Sequence, residues 1–477
     1  MTSSEDLAFA GIAAQAQLIR DGAVTSVELT EVYLERIGRI DATLNSFREV
    51  FADDARAAAA EADKRVANGE TGPLLGVPVA FKDELDITGR VAQHGTDAYD
   101  EPATANAVHV QRILDAGAVN LGVTNLPELA ICGFTESEAT GDTRNPWDPS
   151  RTPGGSSGGS GAAVAAGLVG AASASDGAGS IRIPAALNGL FGIKPQRGRI
   201  SLMPEAEHWY GMSKTGCLTR RVADAALWLD VARGPAPGDA HTPPAAEIDY
   251  VEAANQPPGS LRIATSTTSV RGLLPPRTEA AAMAAMDTAA AVLAKLGHQI
   301  EPRDPAYKNA GNPMIALYLG GARQHFEQVP HPDRLEARTR GFGRLGGAIP
   351  KRVIRNALRD QSAHTERINE VFADVDVLMT PVTSTLPVPV GAWRGKGAFR
   401  TLLGMSRVYP YTAIWNYTGQ PAASVPVGFT DDGLPLAVML IVPPNREDLL
   451  FSLAAQMEAE IGWPDHRPDP RSAVAGT

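Results

Sequence analysis

The sequence predicts an α/β protein, and three features carry that expectation. Helix-like and strand-like segments alternate along most of the chain, as a sheet covered by helices requires. The strand-like segments are short apolar runs punctuated by Gly and Pro, such as VPVAF and VNLGVT, which reads as buried strand rather than helix. The 477 residues are 44% hydrophobic and 20% charged. That balance fills a large core and excludes disorder or a coiled coil for the chain as a whole.

Residues 5–20 and 26–41 place apolar side chains at helical spacing, and Ser26 with Glu28 reads as a capped start of the second. Residues 50–67 are Ala-rich and charged, a surface helix. Within GPLLGVPVAFKD (72–83), VPVAF reads as a buried strand. A helix over 109–118 ends at Gly117, and 119–125 is a strand. GDTRNPWDPSRTPGGSSGGSG (141–161) is the longest loop-like stretch. AAVAAGLVGAASAS follows it at once with a buried-helix composition, so this loop is expected inside a core, not between domains. Another helix is expected from Ser180 through SIRIPAALN. Residues 234–260 read as a linker or surface excursion, 261–267 as a strand, and 278–298 as a helix with Gly297 near its end. Residues 300–370 look helical and cap-like. Three strands (375–383, 421–429 and 434–442), a helix (447–462) and a frayed Pro-rich tail (463–477) complete the reading.

Composition narrows the function. There are 43 basic against 54 acidic residues, a net charge of −11, which disfavours nucleic acid or an anionic membrane as a partner. Two cysteines, Cys132 and Cys217, exclude a disulfide framework, and the nine scattered histidines show no zinc-ligand spacing. No metal or organic cofactor is expected. The N-terminus lacks the basic and apolar blocks of a signal peptide. The longest apolar run, 161–174, is too short to span a bilayer. A soluble, cytoplasmic protein is expected.

Three chemical readings compete for GGSSGGS. A phosphate-binding loop needs Lys after the last Gly, and none follows. Gly155-Ser156-Ser157-Gly158-Gly159 fits G-x-S-x-G, but that nucleophile elbow needs a strand before the serine, and NPWDPSRTP cannot be a central strand. Nor is a partner histidine evident: His208, His241, His298, His325, His331, His364 and His466 are isolated and read as solvated or packed.

The third reading joins Lys82 in GVPVAFKD, the serines of PGGSSGGSG and Ser180 in SDGAGSIRIPAA. With 117–129, 143–203, 216–230 and 416–428, these stretches resemble the amidase signature family. The resemblance implies a central mixed, twisted β-sheet covered on both faces by α-helices. It implies a single amidase domain over 1–462, with a helical segment 1–70, a signature core 72–232, a cap-like region 234–370 and a C-terminal sheet and helix 371–462. It places a catalytic lysine at Lys82, a bridging serine with a cis peptide bond at Ser156, and the nucleophile at Ser180. Gly177, Ala178, Gly179 and Ser180 match the oxyanion-hole loop, and Ala130, Ile131 and Cys132 a loop lining the acyl pocket. The Ala178-Gly179 pair stands where two glycines are usual and resembles the nylon-oligomer cyclic-dimer hydrolase branch.

The chemistry asks for such a set. A serine hydroxyl must lose its proton to attack an amide. Lys82 can take that proton only when neutral, hence buried and away from carboxylates. Ser156, with one donor and two acceptor sites, can pass protons between Lys82 and Ser180. Asp83 should point away if 78–82 is extended, and Glu84, where Asn is common, is expected to face solvent. Asp176 and Arg182 read as a structural ion pair, and Cys217 as packing. The implied activity is hydrolysis of small carboxamides through a Ser180 acyl-enzyme, with a small-molecule amide as partner and a homodimer as the assembly. The alternative is the glutaminase subunit of a tRNA-dependent amidotransferase. Trp209, Tyr210, Tyr318, Tyr409 and Trp415 are candidate aromatic walls.

Overall fold

The computed structural model describes residues 3–270 and 278–469. The strands are β1 (Phe47–Val50), β2 (Pro78–Lys82), β3 (Val119–Thr124), β4 (Glu136–Ser137), β5 (Gly141–Asp142), β6 (Ala171–Asp176) and β7 (Phe191–Lys194). They continue as β8 (Lys214–Thr219), β9 (Arg262–Thr265), β10 (Gln299–Pro302), β11 (Val377–Pro381), β12 (Ala422–Phe429) and β13 (Pro435–Ile441). Among the described residues, eleven of them form one sheet in the order β1-β3-β2-β6-β8-β7-β12-β13-β11-β9-β10, while β4 and β5 pair apart. The sheet is mixed: β2 runs parallel to β3 and β6, whereas β6–β8, β7–β8 and β12–β13 are antiparallel.

The two faces of the sheet bury separate cores, because successive strand side chains point to opposite sides. Val377, Met379, Val438 and Leu440 join a core with the helices at 12–20, 26–44, 222–232 and 447–461. Leu378, Met439 and Ile441 join the other, under the helices at 311–328, 337–347, 351–369 and 398–408. This is the mixed sheet with helices on both faces that the sequence led us to expect. Among the described residues no helix is long and apolar enough to cross a membrane.

Several local expectations change. The helix read over 5–20 is two, Ser4–Phe9 and Ile12–Arg20, broken at Gly11. The helix at 26–44 is capped by Thr25, not Ser26. Thr25 Oγ1 accepts from the Glu28 N–H, and Glu28 accepts from the Thr25 N–H. The Ser26 hydroxyl instead donates to the Gly76 carbonyl (2.7 Å), tying this helix to the approach of β2. The run after the Gly/Ser loop splits into a helix, Gly158–Ala165, and the strand β6, because small residues satisfy either period. Strands β7, β8 and β10 escaped notice, since FGIK and KTGCLT bury lysines and QIEP is an exposed edge. Within 234–370, β9 and β10 extend the central sheet, the helix between them (Ala280–Lys295) packs on one core, and the helices beyond β10 cover the other. The tail is anchored at its start: Trp463 is buried and its Nε1 donates to the Arg220 carbonyl (3.0 Å). The rest of that tail, 470–477, lies outside the described residues.

Candidate active site

Lys82 ends β2, at the C-terminal edge of the parallel part of the sheet. Its neighbour β6 turns Ser173 and Ser175, two residues apart, to one face. Ser173 Oγ accepts the Lys82 backbone N–H (2.8 Å), and Lys82 Nζ donates to Ser175 Oγ (2.8 Å). Nζ also donates to Ser156 Oγ (2.8 Å). Lys82 and Ser156 are fully buried. The Gly155–Ser156 peptide is cis. Gly155 is held so closely that a Cβ would lie 2.7 Å from the Phe134 nitrogen, so only Gly fits against that backbone.

Ser180 follows β6 through a short loop organised by a buried carboxylate. Asp176 meets Arg182 in two hydrogen bonds of 2.9 Å. It also accepts the backbone N–H of Gly179 (2.6 Å) and of Ile181 (3.2 Å). Asn416 donates to the same carboxylate (2.8 Å). The Arg182 guanidinium outweighs the cost of burial and holds Asp176 well below the usual carboxylate range. The expected structural ion pair is thus observed. Breaking it leaves a buried charge alone, so Arg182→Met should destabilise the fold by about 3–5 kcal/mol. Urea unfolding reads this, and a loss below about 1 kcal/mol would contradict the role.

The Gly179 N–H, one of the expected oxyanion donors, therefore already serves Asp176. The N–H groups of Gly177, Ala178 and Ser180 have no protein acceptor among the described residues. Gly179 has φ +129°, and a Cβ there would lie 2.5 Å from Thr412 Oγ1. Gly179→Ala must therefore shift the loop, and a fall in turnover of about 100-fold is expected. The helix after the loop begins at Arg182, two residues beyond Ser180. Ser180 Oγ makes no hydrogen bond among the described residues, and Ser180 borders two cavities.

One cavity, of about 160 Å³, has a mixed wall and is the more polar of the two: Ser156, Ser175, Gly177, Glu84, His94 and His208 stand in it beside Leu85, Leu202 and Trp209. The other, of about 120 Å³, is apolar, with Ile131, Ile183, Met314, Tyr318, Met405 and Tyr409. Of the expected pocket residues, Ala130 borders the first and Ile131 the second. Cys132 borders neither; it is 5% exposed and packs in the second core, where burial raises its thiol to about 12. Trp209, Tyr318 and Tyr409 reach the cavities, whereas Trp415 is fully buried.

Glu84 overturns its expectation. Its Oε1 lies 3.2 Å from Lys82 Nζ and its side chain is 12% exposed. Burial alone would raise the Glu84 carboxyl, but the Lys82 ammonium and the Ser175 hydroxyl hold it below its ordinary value. Burial lowers the Lys82 amine, with Glu84 and then Asp176 pulling the other way. Asp83 does turn aside, accepting the Gln93 N–H (3.1 Å), and burial raises it to about 7. His208 and His325, expected to be isolated and solvated or packed, are packed together, and His94, on which the sequence analysis makes no statement, joins them. The rings of His94 and His208 each lie 5.1 Å from that of His325, and all three reach the polar cavity. Burial depresses His94 and His208 to about 4 and His325 well below its ordinary value. Nothing in the sequence flagged this convergence, which joins three distant segments. Ser175 did have a signal, the alternation of serines in AASASD.

Comparison with known proteins follows the same lines. The family model described as Amidase matches residues 28–451. A protein of Mycobacterium tuberculosis named "Putative amidase AmiB2" is 48% identical over 464 residues, 97% of this chain and 98% of that one. The 6-aminohexanoate-cyclic-dimer hydrolase of Paenarthrobacter ureafaciens is 33% identical over 485 residues, 95% of each chain. A solved 6-aminohexanoate cyclic dimer hydrolase complexed with substrate superposes with a TM-score of 0.86 at 30% identity, over 97% of this chain and 99% of that one.

Proposed function

The chain belongs to the amidase family, and from that premise we propose that it hydrolyses the carbon–nitrogen bond of linear carboxamides through an acyl-enzyme on Ser180. Family membership supports amide hydrolysis. The observation that carries the finer reading is Lys82 Nζ, buried and 2.8 Å from Ser156 Oγ, with Ser156 and Ser180 bordering one cavity.

Neutral Lys82 takes the Ser156 proton as Ser156 takes that of Ser180. Ser180 Oγ adds to the amide carbon. The oxyanion faces the N–H groups of Gly177, Ala178 and Ser180, each such donor contributing about 3 kcal/mol to the transition state. The Lys82 ammonium then returns its proton through Ser156 to the nitrogen, the C–N bond breaks, and the amine leaves. Water attacks the ester, loses its proton to the same relay, and Ser180 regains its own. No cofactor enters this proposal. Ser175 gives Lys82 a second hydroxyl that fixes its direction. The glutaminase-subunit alternative is not favoured, since the relatives are described as amidases and cyclic-dimer hydrolases. A homodimer is part of the proposal, read by light scattering.

The test is hydrolysis of simple aryl and aliphatic amides by the purified chain, with fluorophosphonate labelling of Ser180. A chain inert to the panel and unlabelled at Ser180 would end the proposal. A second test uses pH. The working amine is neutral, so kcat/KM rises as pH climbs through the Lys82 pKa. The Glu84 carboxylate favours the ammonium. Glu84→Gln should therefore move the rising limb to lower pH, and an unmoved or alkaline-shifted limb counts against Lys82 as the base.

A further inference from the structure

Ser180 stands between two chambers, one with charged side chains in its wall and one without, and the proton relay opens into only the first. Ser156 and Ser175, the two hydroxyls on Lys82 Nζ, border the polar chamber and not the apolar one. Resting on the Ser180 acyl-enzyme reading above, we propose that the amine leaves into the polar chamber while the acyl group fills the apolar one, and that the preferred substrate joins an apolar acyl group to an amine bearing a second, cationic nitrogen.

The first half follows from proton delivery. The departing nitrogen must be protonated as its bond to carbon breaks, so it must face Ser156. The acyl carbon stays on Ser180, and its chain extends away from the relay. There it meets Ile131, Ile183, Val270, Met314, Leu402 and Met405, with no charged side chain in the wall. Burying each methylene there contributes about twofold to fourfold in affinity.

The second half follows from charge. The titratable groups of the polar chamber's wall are Glu84, Asp86, Glu205, His94, His208 and His325, with no Lys or Arg. The buried histidines are neutral at pH 7. When Lys82 works as a base it is neutral too, and the Glu84 carboxylate loses its cation. An ammonium on the leaving amine restores a positive charge to a wall of carboxylates; a carboxylate there is repelled. Such an ammonium also weakens the hold of Glu84 on the Lys82 proton, which favours the base in its working form.

Four amides test this. Three share a phenylbutanoyl acyl group and differ in the amine: ethylenediamine, propylamine or β-alanine. The fourth reverses the polarity, as the phenethylamide of aminohexanoic acid. The expected order of kcat/KM is ethylenediamine, propylamine, β-alanine, with about tenfold at each step, and the reversed amide at or below the β-alanine amide. Glu205→Gln should shrink the ratio between the first and third. An equal or inverted ratio, or a preference for the reversed amide, overturns the proposal. If none of the four is hydrolysed while Ser180 still takes up fluorophosphonate, this substrate class is wrong and the nucleophile stands. If Ser180 is unlabelled as well, the acyl-enzyme reading has itself failed.

Discussion

Ser180→Ala is expected to lower amide turnover by about four to six orders of magnitude and to leave the fold unchanged. The size follows from the chemistry: without Oγ no acyl-enzyme forms, and only oriented binding and the oxyanion donors remain. The fold should hold because Oγ has no hydrogen-bond partner among the described residues and only a hydroxyl is removed. The loop keeps its geometry through Asp176, which binds the Gly179 and Ile181 N–H groups rather than the hydroxyl. The measurement is kcat beside a thermal melt. A residual rate within tenfold of the parent, at an unchanged melting temperature, would remove Ser180 from the mechanism.

Lys82→Met is expected to lower kcat by about 100-fold to 10,000-fold, the span of general acid–base catalysis. Met fills a similar volume in a fully buried place, so packing should survive. Electrostatics should not, because Glu84 would lose the cation 3.2 Å away. A buried carboxylate left unpaired costs on the order of 1–3 kcal/mol or more. The double variant Lys82→Met/Glu84→Gln separates the two effects. Stability should recover, because neither charge remains, while turnover should stay low, because no base remains. Recovery of turnover in the double variant would show that Lys82 acts by balancing Glu84 and not by moving protons.

Much of this site was legible in the chain. Lys82 sits after a run of apolar residues long enough for one buried strand, and that run is β2. The Gly/Ser loop reads as interior because an apolar segment follows it directly, and Ser156, Ser157 and Ser160 are buried, while Ser150, earlier in the loop, is exposed. The solvent-facing expectation for Glu84 fails for a definite reason: it rests on residue type, whereas strand alternation already puts residues two apart, such as Lys82 and Glu84, on one face. β2 ends at Lys82, and the Glu84 carboxylate lies 3.2 Å from the amine. The N–H of Gly179 was misjudged because a local motif cannot say which donors a neighbouring carboxylate has already taken.

Covalent order and side-chain chemistry by themselves determined the layered α/β class, the buried lysine strand, and three stretches able to supply an amine and two hydroxyls. The first two follow from hydrophobic period and residue type, which act over a few positions, and the third from the resemblance to the amidase signature family. Tertiary packing alone decided that His94, His208, His325 and Glu84 share one wall with Ser156, and that Ser180 faces an apolar chamber on its other side. Such meetings depend on how distant segments cross the sheet, and no pattern along the chain encodes them until the core has set those crossings.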